Sequence, residues 1–233
     1  MSRIRILPSV TTLPPEKNSN SWKEKIEEIK ELNLKEASLF LTGLPPDQRW
    51  ECYKLLEETP LENIPHVHLK DDMTQEELDY LVSRFGVEVF NSHPIREHPP
   101  LYDWSKHLDR IYIENTRYLP DRKELKEFAG LCLDFVHWEN AVLMGYSNYD
   151  PLSELVKDFV VGCGHLSPIK SELHKNQDES FDYDSHYMEE LKEFDYFQKY
   201  LKYSPPIISI EVNNSLKDQL RIKKYMEDNI LQL

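Results

Sequence analysis

Histidines and carboxylates stand at the ends of six successive apolar runs of this sequence. The candidates are His66, His93, Glu114, Asp134, His137, His165 and Glu211, with Asp184 and His186 in the segment after the seventh run. A carboxylate that is buried without a partner is unfavourable, and a divalent cation would satisfy several of them together. Imidazoles beside carboxylates are typical ligands of Zn²⁺, and Mn²⁺ is compatible with an oxygen-rich set. The pattern therefore predicts a centre that holds two or three divalent ions.

Each of these motifs is weak when it is taken alone. A histidine at a strand end is more often a hydrogen-bonded structural residue, and the DxxH spacing of Asp134 and His137 occurs by chance in many proteins. The DxH spacing of Asp184 and His186 is weaker still. The combination favours a metal centre, because six consecutive strands each end in a candidate ligand.

The elements that would position these side chains alternate between short apolar runs and amphipathic segments. Eight runs predict strands, at residues 4–10, 37–42, 65–69, 87–91, 110–114, 131–135, 160–164 and 207–211. Helices are predicted at residues 21–32, 47–58, 121–129, 151–157, 188–203 and 215–230, with one more that begins at Thr74. Residues 93–109 carry three prolines and predict at most a short helix.

Strands that alternate with helices indicate parallel βαβ units. We expect an α/β fold, a compact (βα)8 TIM barrel, as a single domain over residues 1–233; the alternative is an open doubly wound sheet. In such a barrel the carboxyl ends of all strands meet at one mouth, where polar residues are functional more often than structural. Ser21 with Glu24, and Thr74 with Glu77, predict capping boxes at two helix starts.

Composition limits the classes of partner. The formal net charge of −14 weighs against nonspecific nucleic-acid binding, which depends on Lys and Arg, whereas an acidic mouth would concentrate divalent cations. Cys52, Cys132 and Cys163 are too scattered for a disulfide framework and are expected to be buried, inert thiols. No apolar stretch is long enough to span a membrane and the N-terminal residues show no secretion signal, so we expect a cytoplasmic protein. The acidic segment 176–184 predicts a solvated loop.

From the third strand to the eighth, the sequence resembles endonuclease IV and the wider xylose isomerase-like TIM barrel superfamily, which includes AP endonuclease family 2. The resemblance covers roughly residues 64–213. It is carried by the segments 113–116 (IENT), 132–137 (CLDFVH) with the later Gly145 and Tyr146, 164–167 (GHLS), 184–186 (DSH) and 208–211 (ISIE).

This resemblance implies a ligand set and a reaction. One metal would be held by His66 and His93 with Glu114 as a bridge, and a second by Glu114, Asp134, His165 and Glu211. The third would take His137, Asp184 and His186. Of the two histidines on the third strand, His66 fits the family pattern better and His68 is the reserve. The implied activity is phosphate ester hydrolysis by a water that the metals activate, with Glu114, Glu211 and His137 as the catalytic residues.

Sugar isomerases and epimerases of the same superfamily offer a rival reaction. There Glu114 and Glu211 would be the acid–base pair and His137 would contact the substrate. The isomerases usually carry an arginine in the loop that here contains Asp184 and His186, and this chain has none between Arg122 and Arg221. A barrel that serves only as a binding module is a third hypothesis, which retention of all nine ligands disfavours.

The loops of this chain depart from those of endonuclease IV. The segment after IENT is short (117–120, RYLP), and residues 187–190 (YMEE) replace a glycine-bearing stretch. The loops that grip and bend DNA are therefore trimmed. Together with the net charge, this favours a small phosphate ester or a nucleic-acid end over duplex DNA as the substrate.

Overall fold

The apolar runs form the strands of one parallel sheet, to which a two-stranded hairpin is added. The computed structural model describes residues 4–12, 20–175 and 181–231. Within these ranges the strands are β1 (Arg5–Leu7), β2 (Ser9–Thr11), β3 (Ser38–Phe40), β4 (His66–His68), β5 (Val89–Ser92), β6 (Ile111–Glu114), β7 (Gly130–Asp134), β8 (Val161–Leu166), β9 (Ile169–Lys175), β10 (Phe181–Asp184) and β11 (Ile207–Ile210).

The first apolar run closes the sheet into a barrel. Pro8, which has no N–H group to donate, divides this run into β1 and β2. The sheet order is β1-β11-β8-β7-β6-β5-β4-β3-β2, so that β1 pairs with β11 on one side while β2 pairs with β3 on the other. Because β1 and β2 are consecutive pieces of one strand, the two ends of the sheet meet. The predicted (βα)8 TIM barrel is confirmed, and the open doubly wound sheet is excluded.

Helices surround this barrel, and four of the seven described α-helices begin at a residue whose side chain caps them. The α-helices are α1 (Trp22–Leu32), α2 (Pro46–Glu57), α3 (Gln75–Phe85), α4 (Glu124–Glu127), α5 (Phe135–Met144), α6 (Leu152–Asp158) and α7 (Leu216–Tyr225). The capping box of Ser21 and Glu24 is present. Thr74 accepts a hydrogen bond from the Glu77 backbone, but the Glu77 side chain bonds to Arg49 and Tyr53 instead of the cap. The predicted cap by Thr74 is therefore present, but the reciprocal bond from Glu77 is not.

Three elements differ from the predictions. Helix α5 follows β7 without a loop, where no helix was expected. Strands β9 and β10 form an antiparallel hairpin, although residues 181–184 were expected in a loop; residues 176–180 of that acidic segment lie outside the described residues. Residues Leu191–Tyr203 form a 3-10 helix, which begins three residues later than the predicted helix. The short helix expected after β5 is present at Ser105–Arg110.

The interior of the barrel is polar at the mouth, and the layer below it also contains buried polar side chains, among them His66 and Ser209. The Phe40 ring lies 5.9, 5.7 and 4.9 Å from the rings of His66, His68 and His165, which places all three imidazoles inside the barrel. The three cysteines are buried and unpaired, as predicted. Within the ranges described above, no helix has the length and apolar character needed to cross a membrane.

Candidate metal centre

His165 lies at the centre of the predicted cluster. Strand β8 pairs it with Asp134 on one side and with Ser209, two residues before Glu211, on the other. The imidazole is fully buried, and its Nδ1 lies 3.2 Å from Glu211 Oε2, 3.5 Å from Glu114 Oε2 and 3.9 Å from Asp134 Oδ2. The structure thus brings together the four residues that the resemblance assigns to the second metal.

Several polar atoms in this group are buried and make no hydrogen bond, although charged groups lie near them. Asp134 Oδ1 accepts hydrogen bonds from the backbone N–H groups of Val136 (2.9 Å) and His137 (3.1 Å), and so caps α5. Asp134 Oδ2 and both ring nitrogens of His165 have no hydrogen-bond partner among the described residues. Such orphaned atoms are costly, and a divalent cation between Glu114, Asp134 and His165, whose ligand atoms lie within 4.8 Å of one another, would satisfy them. The donor set therefore fits a bound metal.

The charges of this group are tightly linked. Burial alone would raise the pKa of Glu114, but the imidazoles of His165 and His68 hold it well below its usual value. Burial raises the pKa of Asp134 to about 6, even though His137 lowers it. Burial alone would lower the pKa of His165. The carboxylates of Glu114 and Glu211 outweigh this effect and raise that pKa to about 10. Positive charge is thus favoured at this point of the barrel, where a cation would compete with the imidazole proton.

A second ligand group shares Glu114 with the first. The ligand atoms of His68, His93 and Glu114 lie within 4.8 Å of one another. His68 Nδ1 donates to the Leu69 carbonyl (2.8 Å), which leaves Nε2 directed at Glu114 Oε2, 3.2 Å away. A ring N–H held by a carbonyl is the usual support of a metal-binding histidine. Burial lowers the pKa of His93 to about 4 and keeps its imidazole neutral, as a ligand must be.

His66, the residue selected from the sequence, is placed differently. Residues two apart on a strand point to the same face, so His66 and His68 both enter the barrel, and His68 lies nearer the mouth. Both ring nitrogens of His66 are engaged, Nδ1 with Ser209 Oγ (2.7 Å) and Nε2 with Asn91 Oδ1 (2.9 Å). This geometry favours His68 over His66 as the partner of His93.

Hydrogen bonds connect His66 to the shared carboxylate through Asn91. The Asn91 Nδ2 donates to Glu114 Oε2 (2.7 Å), so its Oδ1 accepts from His66 Nε2. His66 Nδ1 then accepts from Ser209, whose hydroxyl also lies 2.5 Å from Ser38 Oγ. The sequence reasoning missed this role of Asn91. The feature that reveals this role is the strand register, in which Asn91 of β5 pairs with His68 of β4.

A further group within 4.8 Å joins His66 and His165 to Cys132. Burial raises the pKa of the Cys132 thiol well above its usual value. The imidazole of His66 has no free lone pair, because Ser209 and Asn91 occupy its two nitrogens. These contacts favour a packed interior, not a second metal centre, at this depth of the barrel.

Two of the three ligands expected for the third metal lie together. His137 Nδ1 is 3.3 Å from Asp184 Oδ2, and its Nε2 is 3.5 Å from Asp134 Oδ2. Burial would lower the pKa of His137, but Asp134 and Asp184 raise it to about 10. His186 lies 3.4 Å from Ser167 Oγ, and none of the ligand groups found among the described residues contains His137, Asp184 or His186. The third site therefore stays a prediction.

Comparisons with known proteins reach only the level of the fold. No protein-family model and no curated protein matches the sequence. Among solved structures, the chain is similar to a crystal structure described as a xylose isomerase-like TIM barrel protein from Mycobacterium smegmatis in complex with magnesium. The TM-score is 0.45 at 9% sequence identity, over 97% of this chain and 96% of that one. The strand pairing, and not this similarity, establishes the closed barrel.

Proposed function

We propose that this protein is a divalent-metal-dependent phosphoesterase that acts on a small phosphate ester. The observation that carries the proposal is the position of Glu114 in two ligand groups, with His68 and His93 on one side and Asp134 and His165 on the other. A carboxylate in this position would bridge two ions. Two bound ions about 3.5–4 Å apart supply an activated water and neutralise charge on the attacked phosphate and the leaving oxygen.

The side chains of the centre differ in how far they reach toward solvent. The side chain of Glu114 is 3% exposed and that of Glu211 is 12% exposed. Glu114 would therefore serve as a bridge held by Asn91, while Glu211 would orient the attacking water and accept its proton. His137, which is partly exposed beside Asp134 and Asp184, would contact the phosphate or its leaving oxygen.

The lower solvent exposure of Glu114 compared with Glu211 weighs against the isomerase reaction. Acid–base transfer on a sugar carbon requires two groups that both touch the substrate. Glu211 meets this requirement, but Glu114 is enclosed by Asn91, His68 and His165. The ligand set of imidazoles and carboxylates favours Zn²⁺, with Mn²⁺ as the alternative. The net charge of −14 favours a small ester or a nucleic-acid end over duplex DNA.

Metal analysis and hydrolysis assays test the proposal together. Protein purified without chelators should contain two or three Zn²⁺ or Mn²⁺ ions per chain by elemental analysis. It should hydrolyse p-nitrophenyl phosphate or bis(p-nitrophenyl) phosphate, and chelation followed by metal addition should abolish and restore this activity. Glu211→Gln should lower kcat strongly, whereas Glu189→Gln, an exposed carboxylate on the neighbouring segment, should not.

Other outcomes would contradict the proposal. One bound metal per chain, with exchange of substrate hydrogen for deuterium from D₂O in aldoses or ketoses and no ester hydrolysis, would support the isomerase. Incision of duplex DNA at abasic sites, at rates above those for the small esters, would instead assign a nucleic-acid substrate.

A further inference from the structure

A cavity of about 340 Å³ opens beside the candidate metal centre. Its walls come from the segment after β6, from α5 and the turn that follows it, and from β10. His137 forms part of the wall and also lies 3.5 Å from Asp134 Oδ2 through its Nε2. His137 is thus shared by the cavity wall and the candidate centre, so the cavity lies next to the place where a phosphate would be held.

Two side chains of opposite charge in the cavity, Arg117 and Asp182, lie next to each other. Arg117 Nη2 lies 3.6 Å from Asp182 Oδ2, and the other carboxylate oxygen of Asp182 accepts a hydrogen bond from Asn140 (2.9 Å). The field of the arginine is thus largely compensated by the neighbouring carboxylate. A cavity with balanced charge suits a neutral group better than a second phosphate.

Aromatic rings supply the remaining surface. Tyr118, Tyr146 and Phe181 line the cavity and are 51%, 45% and 54% exposed. Aromatic side chains with this exposure leave apolar surface in contact with water, which a flat aromatic ligand would cover. The Arg96 guanidinium lies 4.6 Å from the centre of the Tyr118 ring and occupies one of its faces, so Tyr146 and Phe181 are the better candidates for contact.

We propose that this cavity binds a planar aromatic ring in the alcohol part of the substrate, which makes the substrate an aryl-bearing phosphate monoester such as a nucleoside monophosphate. The inference rests on the proposed phosphoesterase function and names its substrate class. The cavity volume of about 340 Å³ is at the small end of ligand pockets, which span about 300–1,000 Å³. A single ring system fits this space.

Binding of non-hydrolysable phosphonates tests the cavity separately from catalysis. The metal-loaded full-length protein would be titrated with phenylphosphonate and with methylphosphonate by calorimetry. We expect phenylphosphonate to bind about 10-fold more tightly, since aromatic contacts of about 0.5–1.5 kcal/mol each correspond to factors of about 2–12. Tyr146→Ala and Phe181→Ala should each reduce this preference about 3-fold and leave methylphosphonate binding unchanged.

The control variant is Leu173→Ala, which removes an exposed apolar side chain from the same hairpin outside the cavity and should leave the preference intact. Equal binding of the two phosphonates, or equal losses for both in the variants, would overturn the inference. Ester hydrolysis without an aryl preference would overturn the cavity assignment alone. An aryl preference in a protein that hydrolyses no phosphate ester would support the cavity and overturn the phosphoesterase.

Discussion

Replacing His68 with glutamine should remove one bound metal ion, whereas the same replacement of His66 should leave the metal content unchanged. The two histidines are separated by one residue on β4, and both point into the barrel. His68 Nε2 faces Glu114 at 3.2 Å, in a group with His93. His66 reaches Glu114 only through Asn91. The pair therefore compares a direct ligand with a residue that positions a ligand.

The expected magnitudes differ enough to be resolved. Tetrahedral zinc sites contribute about 10–16 kcal/mol of apparent binding free energy, or about 2.5–4 kcal/mol for each of four ligands. His68→Gln should therefore weaken its ion by a factor of about 10²–10³. Residues that orient a ligand usually contribute 10- to 100-fold to metal affinity, so about 10-fold is expected for His66→Gln, which acts through the intervening Asn91.

Competition with a chelator of known affinity gives the constants, and elemental analysis after dialysis gives the stoichiometry. Glutamine keeps a polar group at each buried position, so the metal-free variants should unfold at about the temperature of the metal-free wild type. Thermal unfolding checks this and so controls for damage to the barrel. A larger loss of metal from His66→Gln than from His68→Gln would refute the assignment of His68. Unchanged affinity in both variants would refute the ligand group altogether.

Three further variants test the centre and other parts of the barrel. Asp134→Asn should lower metal affinity at least about 100-fold and yet preserve α5 in circular dichroism, since asparagine caps helices as well as aspartate. Burial lowers the pKa of Lys25 from 10.5 to about 7, so the folded state loses this proton first as the pH rises. Between these pH values the unfolding free energy of the wild type should increase by up to about 5 kcal/mol relative to Lys25→Met in denaturant titrations; equal slopes would contradict this. Gly130→Ala should destabilise the protein by about 3 kcal/mol or more in the same titrations, because the new Cβ would lie 2.2 Å from the Val160 carbonyl oxygen at a φ of +140°.

The eight strands were predictable because parallel barrel strands are buried on both faces and appear in sequence as continuous apolar runs. The closure through Pro8 was not, since the run at residues 4–10 shows no sign of which neighbour each half will pair with. The hairpin of β9 and β10 was missed for a different reason. Five of the seven residues of β9 are polar or charged, so the segment carries no apolar run.

The candidate site was predicted more completely as a set than as individual contacts. The strand-end positions of Glu114, Asp134 and His165 follow from topology alone, because parallel strands converge at the barrel mouth. The choice between His66 and His68 depends on how far β4 extends relative to β5. That stagger is fixed by the pairing of His68 with Asn91, and no periodicity within one strand can reveal it.

The DxxH motif becomes specific when its aspartate is also the cap of a helix. Asp134 ends β7 and caps α5 at once, which puts His137 at the third helical position, where its backbone N–H bonds to Asp134 Oδ1 (3.1 Å). The same turn brings His137 Nε2 to 3.5 Å from Asp134 Oδ2. One carboxylate thus fixes the start of the helix and the position of the imidazole, with no loop between them. The direct junction of β7 with α5, more than the DxxH spacing, therefore directs both groups to the mouth of this barrel.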